Sequence, residues 1–452
     1  MPRKRVLLFL GPLIVWLGSS FCMLAFQPDD PSLDHDEIYW IGSSYYYDLA
    51  FGKWDWANPA WRLLPARENP PVAKYVLGLG LAGAGYHVTS IDNLSYFYLF
   101  WLGWEKDPTA HGEGADVQKR VKVLEAAGPG FRERLMKNTH APLTRPFVRA
   151  ARNTVMVCAA LASLLLFLMA WKAGDWFGGL LASQLLLLHP AVVFASTHAM
   201  SDSIALMFSI AAAFAAYGWF EHFSGPVTTR FSPGLPQSIG TGILLALACG
   251  AKMNSLVLVI LTGVLVAMVT GQKWLNRQRS EAVVASAHGL IILGVSLLGF
   301  IAINPAIIQD LGGGLAASFL EDQHTLAIQT DATNSHLAGL AAKLETVISM
   351  GFFHWTIFGF VVAVLIWSMV FRWHQNIFRF AVCWWLTTFL CVTVWIPLAW
   401  PRYVIPVLAP SALLVGCFAS IQIRELVLRI GGKPSQIHRS STAAATTSTT
   451  SR

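Results

Sequence analysis

The sequence predicts an all-α polytopic membrane protein with about ten transmembrane helices, and with interfacial helices in a large first extracytoplasmic loop. Three observations predict it. Of the 452 residues, 55% are hydrophobic and 13% charged, against about 25% charged in a soluble domain. Apolar runs of about 20 residues, the length that crosses a hydrocarbon core, recur along the chain. The 18 Trp and 27 Phe residues suit aromatic belts at both membrane interfaces.

Taken in order, the first run, Val6 to Phe26, follows a basic start at Met1 to Arg5. It reads as a span rather than a cleaved signal, being long and offering only Phe21-Cys22-Met23 where small residues belong. Residues 27–150 form the first extracytoplasmic loop. In it, Val76 to Tyr86 and Tyr96 to Trp104 are apolar but too short to span, and are expected to lie in the interface. Residues 105–149 read as a solvated, partly helical insert. Further spans are expected near 153–171, 176–196, 203–220, 237–251, 254–270, 283–304, 346–371, 379–397 and 404–421. A second extracytoplasmic loop, 305–345, follows Asn304-Pro305, and 426–452 is expected to be a disordered cytoplasmic tail, Ser/Thr/Ala-rich from Ser440 onward.

Charge orients the chain. With a cytoplasmic amino terminus, the inside segments carry 15 Lys/Arg and four acids, among them Lys172, Lys273, Arg372 and Arg379. The other 17 Lys/Arg and 21 acids fall outside, mostly in the long first loop. Long loops are largely exempt from the positive-inside rule and the short inside loops obey it, so both termini are expected in the cytoplasm. This distribution, rather than nucleic acid, accounts for the net charge of +7, because the basic residues form no patch. The six cysteines lie in or beside apolar runs without a CxxC pair, which points to small packing residues.

Two patterns mislead. Gly78-Leu79-Gly80-Leu81-Ala82-Gly83 matches GxGxxG, but it sits in an outside loop without the strand, helix and acid that a dinucleotide site needs. Interfacial packing explains it. Gly431-Gly432-Lys433 lacks the rest of a phosphate loop, and Asn93-Leu94-Ser95 is a sequon only in a eukaryotic secretory setting.

Five segments carry possible chemistry. Leu33-Asp34-His35-Asp36-Glu37-Ile38-Tyr39-Trp40 sets paired acids beside aromatic rings just outside the first span. A carboxylate can take a hydroxyl proton and rings can stack on a sugar; an ordinary solvated loop is the alternative. Asp202, after His189-Pro190 and Ser196-Thr197-His198, stands at an outer hinge between apolar runs. It is a functional candidate or, with Ser201, a helix cap. Lys252 lies between two runs with almost no loop, where snorkelling competes with a functional role. Trp400-Pro401-Arg402-Tyr403 precedes the last span, and Lys74 follows Pro70-Pro71. Span parity places Asp36, Lys74, Asp202, Lys252 and Arg402 at the outer end of one bundle, and that convergence is the strongest signal.

Together these segments resemble the C-type (GT-C) membrane glycosyltransferases, especially the protein O-mannosyltransferases and the aminoarabinose lipid A transferase. Asp36-Glu37 matches their DE pair, with Tyr39 close behind, and Asn69-Pro70-Pro71-Val72-Ala73-Lys74 matches an HPPL-x-K-like segment. Pro190 with Asp202, Gly250-Ala251-Lys252, and Arg402-Tyr403 before Pro406 match the remaining motifs. Asn69 replaces the usual His, Thr197 stands where an Arg is common, and the second loop is too short for a large lumenal domain.

The resemblance implies that residues 1–425 are a catalytic domain moving a sugar from a polyprenyl-phosphate donor to an acceptor hydroxyl, with inversion, on the extracytoplasmic side. The acceptor is a protein, lipid or glycan. It implies Asp36, Glu37 and Asp202 as catalytic residues and Lys74, Lys252, Arg402 and Tyr403 as phosphate binders. Tyr39, Trp40 and His198 would contact acceptor or sugar. One carboxylate opposite a basic pocket suits this chemistry better than glycoside hydrolysis, which needs two flanking carboxylates. No cofactor is required, though Glu37, His35, Asp202 and His198 could hold a divalent cation. The alternatives are a membrane transporter, which would place charges near the midplane and show repeats, and a non-catalytic sugar- or lipid-binding assembly protein.

Overall fold

The computed structural model describes residues 14–19, 35–62, 66–67, 69–88, 145–173, 175–225, 234–311, 337, 339–396 and 398–430. Its helices are α1 (His35–Ser43), α2 (Val72–Gly83), α3 (Arg145–Ala173), α4 (Trp176–Leu187), α5 (Pro190–Thr197), α6 (Asp202–Ser224) and α7 (Leu235–Ala251). They continue as α8 (Leu256–Leu275), α9 (Arg279–Ala302), α10 (Pro305–Gln309), α11 (Gly339–Phe352), α12 (Trp355–Phe371), α13 (Asn376–Trp395) and α14 (Ile405–Ile430).

Every expected span from 153 onward falls on helix, but the count of ten is not established. Among the described residues six helices are long and apolar enough to cross a membrane, or up to eight if each of two bent pairs is one span. Apolar α7, at 17 residues, falls short of that length, and the first expected span is described only at 14–19. There Trp16 Nε1 donates to Ser163 Oγ at 2.9 Å, and Gln184 Nε2 donates to Ser19 Oγ at 2.8 Å, tying this turn to α3 and α4. The span expected at 346–371 is in fact two helices, α11 and α12, bent by 89°, and 176–196 is α4 and α5, bent by 65°. Helix α14 runs on to Ile430, into the first residues of the expected tail. Tyr96 to Trp104, most of the 105–149 insert, and 431–452 lie outside the described residues.

Both bends are written locally. Pro190 cannot continue α4, and His189 caps the new helix by accepting the Ala191 amide on Nδ1 at 3.2 Å. His354 does the same for α12 through the Thr356 amide at 3.2 Å, after Phe353 takes a φ of 61°. Inside the bundle, small residues let helices approach closely, as membrane helices favour. A Cβ on Gly178 of α4 would lie 2.8 Å from the Gly416 carbonyl of α14, and one on Gly242 of α7 2.8 Å from the Ile292 carbonyl of α9. The GxGxxG-like stretch is packing too: a Cβ on Gly78 would lie 2.1 Å from Tyr47, and one on Gly80 2.0 Å from Thr154. Of the cysteines described, all five are free, and four of these are buried.

The ends of the bundle differ. At one, Lys172 pairs with Glu221, Lys273 with Glu281 at 2.6 Å, and Arg372 with Glu425 at 2.5 Å, joining the segments with the basic excess. The first-loop helices α1 and α2 cover the other end. Tyr39, Trp40 and Ile41 pack there with Val72, Leu77, Ala151, Ala199 and Ile204.

Candidate active site

Helix α1 is short, and its first turn decides the site. Successive helical positions diverge by roughly 100°, so Asp36 and Glu37 face different neighbours. Asp36 Oδ2 accepts a hydrogen bond from Arg402 Nη1, forming an ion pair. Glu37 points inward and is fully buried. It meets Arg152 of α3 in a bidentate pair, Nε to Oε1 at 2.8 Å and Nη2 to Oε2 at 2.7 Å. The Ala199 amide, in the link between α5 and α6, donates to the same Oε1 at 2.8 Å. Two guanidinium donors and a backbone amide together compensate the buried carboxylate.

Asp202 opens α6, but Ser201 makes no side-chain cap. Asp202 accepts instead from Lys252 Nζ at 2.6 Å, so Lys252 is paired rather than merely snorkelling. Lys252 reaches this point because α7 ends at Ala251 and the Met253–Ser255 turn starts α8 almost at once. Arg402 comes from the Pro401–Val404 turn before α14. Its guanidinium lies 4.3 Å from the Trp400 ring centre and 5.7 Å from that of Tyr403, while Lys252 Nζ lies 5.9 Å from Tyr403. The buried Tyr403 ring therefore stands beside both cations.

Asp202, Lys252 and Arg402 line one groove. Beyond them its walls are mostly apolar side chains of α6, α8, α13 and α14, including Leu206, Leu258, Trp384 and Ile405, with Ser209, Asn254, Ser255 and Thr388 as the polar members. A charged mouth thus opens onto a greasy channel between helices.

The other expected residues sit apart from it. Lys74 is fully buried, donates to the Asn69 carbonyl and lies 5.5 Å from the Tyr46 ring centre. It is not among the residues lining the groove. Tyr39 and Trp40 are buried at 3% and 5% exposure, and the Tyr39 hydroxyl accepts from Asn69 Nδ2 at 3.3 Å. They pack α1 down rather than offering a free face. His198, half-buried, stacks on Phe194 and contacts its carbonyl through Nδ1 at 2.9 Å. The neighbouring Tyr75 has its phenol pKa raised by burial and donates to the Ile303 carbonyl at 3.2 Å.

Among the described residues no three His, Cys, Asp or Glu side chains gather as a cation site. Glu37 is committed to Arg152 and Ala199, and the His35 side chain lies outside the described atoms. Sequence reasoning missed Arg152. It sits at the lip of an apolar run, three residues after Arg149, and no local signal marked it as the one with a buried carboxylate partner.

Residues 138–310 match the family described as dolichyl-phosphate-mannose-protein mannosyltransferase. No curated protein matches the chain significantly. Among solved structures, the fold is similar to ArnT from Cupriavidus metallidurans bound to undecaprenyl phosphate, with TM-score 0.53 and 14% identity over 93% of this chain and 64% of that one. The apo state of the same protein gives TM-score 0.53 and 13% identity, covering 93% and 62%. The chain thus spans less than two thirds of the length of these proteins, and at such identity the likeness concerns the fold. The family match over 138–310 and the fold shared across 93% of the chain are two separate similarities, both to membrane glycosyltransferases of the C type.

Proposed function

We propose that the protein transfers a sugar, a hexose or pentose, from a polyprenyl-phosphate donor to an acceptor hydroxyl. The groove carries this reading, because cations at the mouth and apolar walls beyond fit a phosphate on an isoprenoid chain. The undecaprenyl phosphate named with the similar ArnT structure supports the same class of lipid. In the reaction, the acceptor oxygen attacks the anomeric carbon as its proton passes to Asp36. The carbon–oxygen bond to phosphate breaks, with inversion, and polyprenyl phosphate departs. Its charge needs cations rather than a proton, and Lys252 and Arg402 supply them. Asp202 holds Lys252 in place, Tyr403 flanks both cations, and Glu37 anchors the turn that bears Asp36. Lys74, buried behind α1, supports this region or reaches the donor only after a rearrangement.

The test is mass analysis of lipid-linked sugars in membranes with and without the protein. Consumption of a polyprenyl-phosphate sugar, with release of polyprenyl phosphate, is expected only with it. Lys252→Ala and Arg402→Ala should each weaken polyprenyl-phosphate binding about tenfold or more, the loss of a charge-assisted hydrogen bond worth ~1.5–3 kcal/mol. Undiminished binding in both would put the donor site elsewhere.

The membrane is a plasma, inner or endoplasmic reticulum membrane, with both termini cytoplasmic and the site outside. A cysteine at Ala57, exposed on the first loop, should react with an impermeant thiol reagent in intact cells. One at Ser280, exposed in the first turn of α9, should not. Both belong in a cysteine-free background, and labelling at Ser280 would reverse the orientation.

A further inference from the structure

The two cations at the groove mouth are not waiting for a ligand. Arg402 is paired with Asp36 and Lys252 with Asp202. All four side chains are shielded, with 15% of Arg402, 26% of Asp36, 18% of Lys252 and 5% of Asp202 exposed. A phosphate could take Arg402 Nε, which is buried without a hydrogen-bond partner, but reaches Arg402 Nη1 and the paired hydrogen of Lys252 Nζ only in competition with the carboxylates. Asp36, in turn, cannot accept a hydroxyl proton well while a guanidinium neutralises it.

We propose that the donor phosphate unmasks the base: it displaces Asp36 from Arg402 and loosens Asp202 from Lys252, so that Asp36 becomes competent only once the donor is bound. This rests on the transfer reading above and adds regulation of the same site. A guanidinium has five donors in a planar fork and an ammonium has three, so each can pass from one anion to another without leaving its place. The paired state is the resting conformation, and the apparent donor affinity is reduced by the fraction of molecules in it. Because coupling is reciprocal, a bound donor must strengthen acceptor binding at Asp36 by the same factor. The consequence is ordered binding, donor first. After transfer the acceptor proton is on Asp36, and the pair re-forms as polyprenyl phosphate leaves and Asp36 gives up that proton to bulk water. Trp400 and Tyr403 both lie against the guanidinium, so the exchange moves Asp36 more than Arg402.

The test compares binding of polyprenyl phosphate with binding of a polyprenol of equal length, in nanodiscs, for the full-length wild type, Asp36→Asn and Asp202→Asn. Removing a competing carboxylate should tighten phosphate binding about tenfold, within the usual range of coupling, and leave polyprenol binding unchanged. Retained polyprenol binding also reports that each variant is folded; if one fails it, the other decides. Phosphate binding that is no tighter in the folded variants overturns the exchange, as does equal tightening of the polyprenol. Lys252→Ala and Arg402→Ala separate this from failure of the underlying reading. If they weaken phosphate binding while the carboxylate variants leave it unchanged, the donor site stands and the unmasking falls.

Discussion

Asp36→Asn is expected to lower sugar transfer roughly 10²–10⁴-fold, the range of a positioned general base, with insertion and folding intact. The substitution keeps the side chain's size and an oxygen that can accept from Arg402, but removes the charge that draws a hydroxyl proton. Asp36 is accessible enough to meet an acceptor, at 26% exposure, whereas Glu37 is fully buried and engaged on both oxygens. That contrast selects between two adjacent acids. Single-turnover transfer from a labelled donor, with donor binding measured in parallel, is the measurement. Near-normal transfer would remove Asp36 from the role. Asp202→Asn should also slow transfer, by a smaller factor, because it acts through Lys252.

Glu37→Gln and Arg152→Met should each destabilise the protein by about 3–5 kcal/mol, because either breaks a buried bidentate ion pair. The effect should appear as a marked fall in the thermal unfolding midpoint in detergent. Combining the two should recover much of the loss, since the double variant buries no lone charge. An unchanged midpoint in either single variant would show that the pair does not brace α1. Activity should fall with stability in the single variants, since Ala199 and Asp36 are both placed by the same carboxylate.

The helices were legible because lipid demands long apolar runs, and the runs ending at Lys172, Lys273 and Arg372 carried their own charge labels. The site was legible as a convergence of Asp36, Asp202, Lys252 and Arg402 at one end, since span parity alone brings those helix ends together. Pairing was not legible. Nothing local in Ala251-Lys252-Met253 shows that Lys252 meets Asp202, 50 residues away. Arg152 was overlooked because it sits on a span boundary, where a positive charge ordinarily needs no explanation. Tyr39 and Trp40 looked like sugar platforms because aromatic residues serve both purposes, and only tertiary packing shows that here they are covered. The bend between α11 and α12 was hidden because Gly351-Phe352-Phe353 is as apolar as the helices it interrupts.

The two helix breaks described above meet. His189 makes a hydrogen-bonding contact from Nε2 to the Gly351 carbonyl at 3.2 Å, and its ring stacks on Phe353 with centres 4.8 Å apart. Helices α5 and α11, each running from one of these breaks, both pack against the Pro401–Val404 turn that presents Arg402. The outer end is thus built like a truss, in which two elbows share one pin and the strut that they support carries the guanidinium. Such a frame holds the turn in position from two sides. It also makes any displacement of α11 felt at α5 and at the charged mouth of the groove.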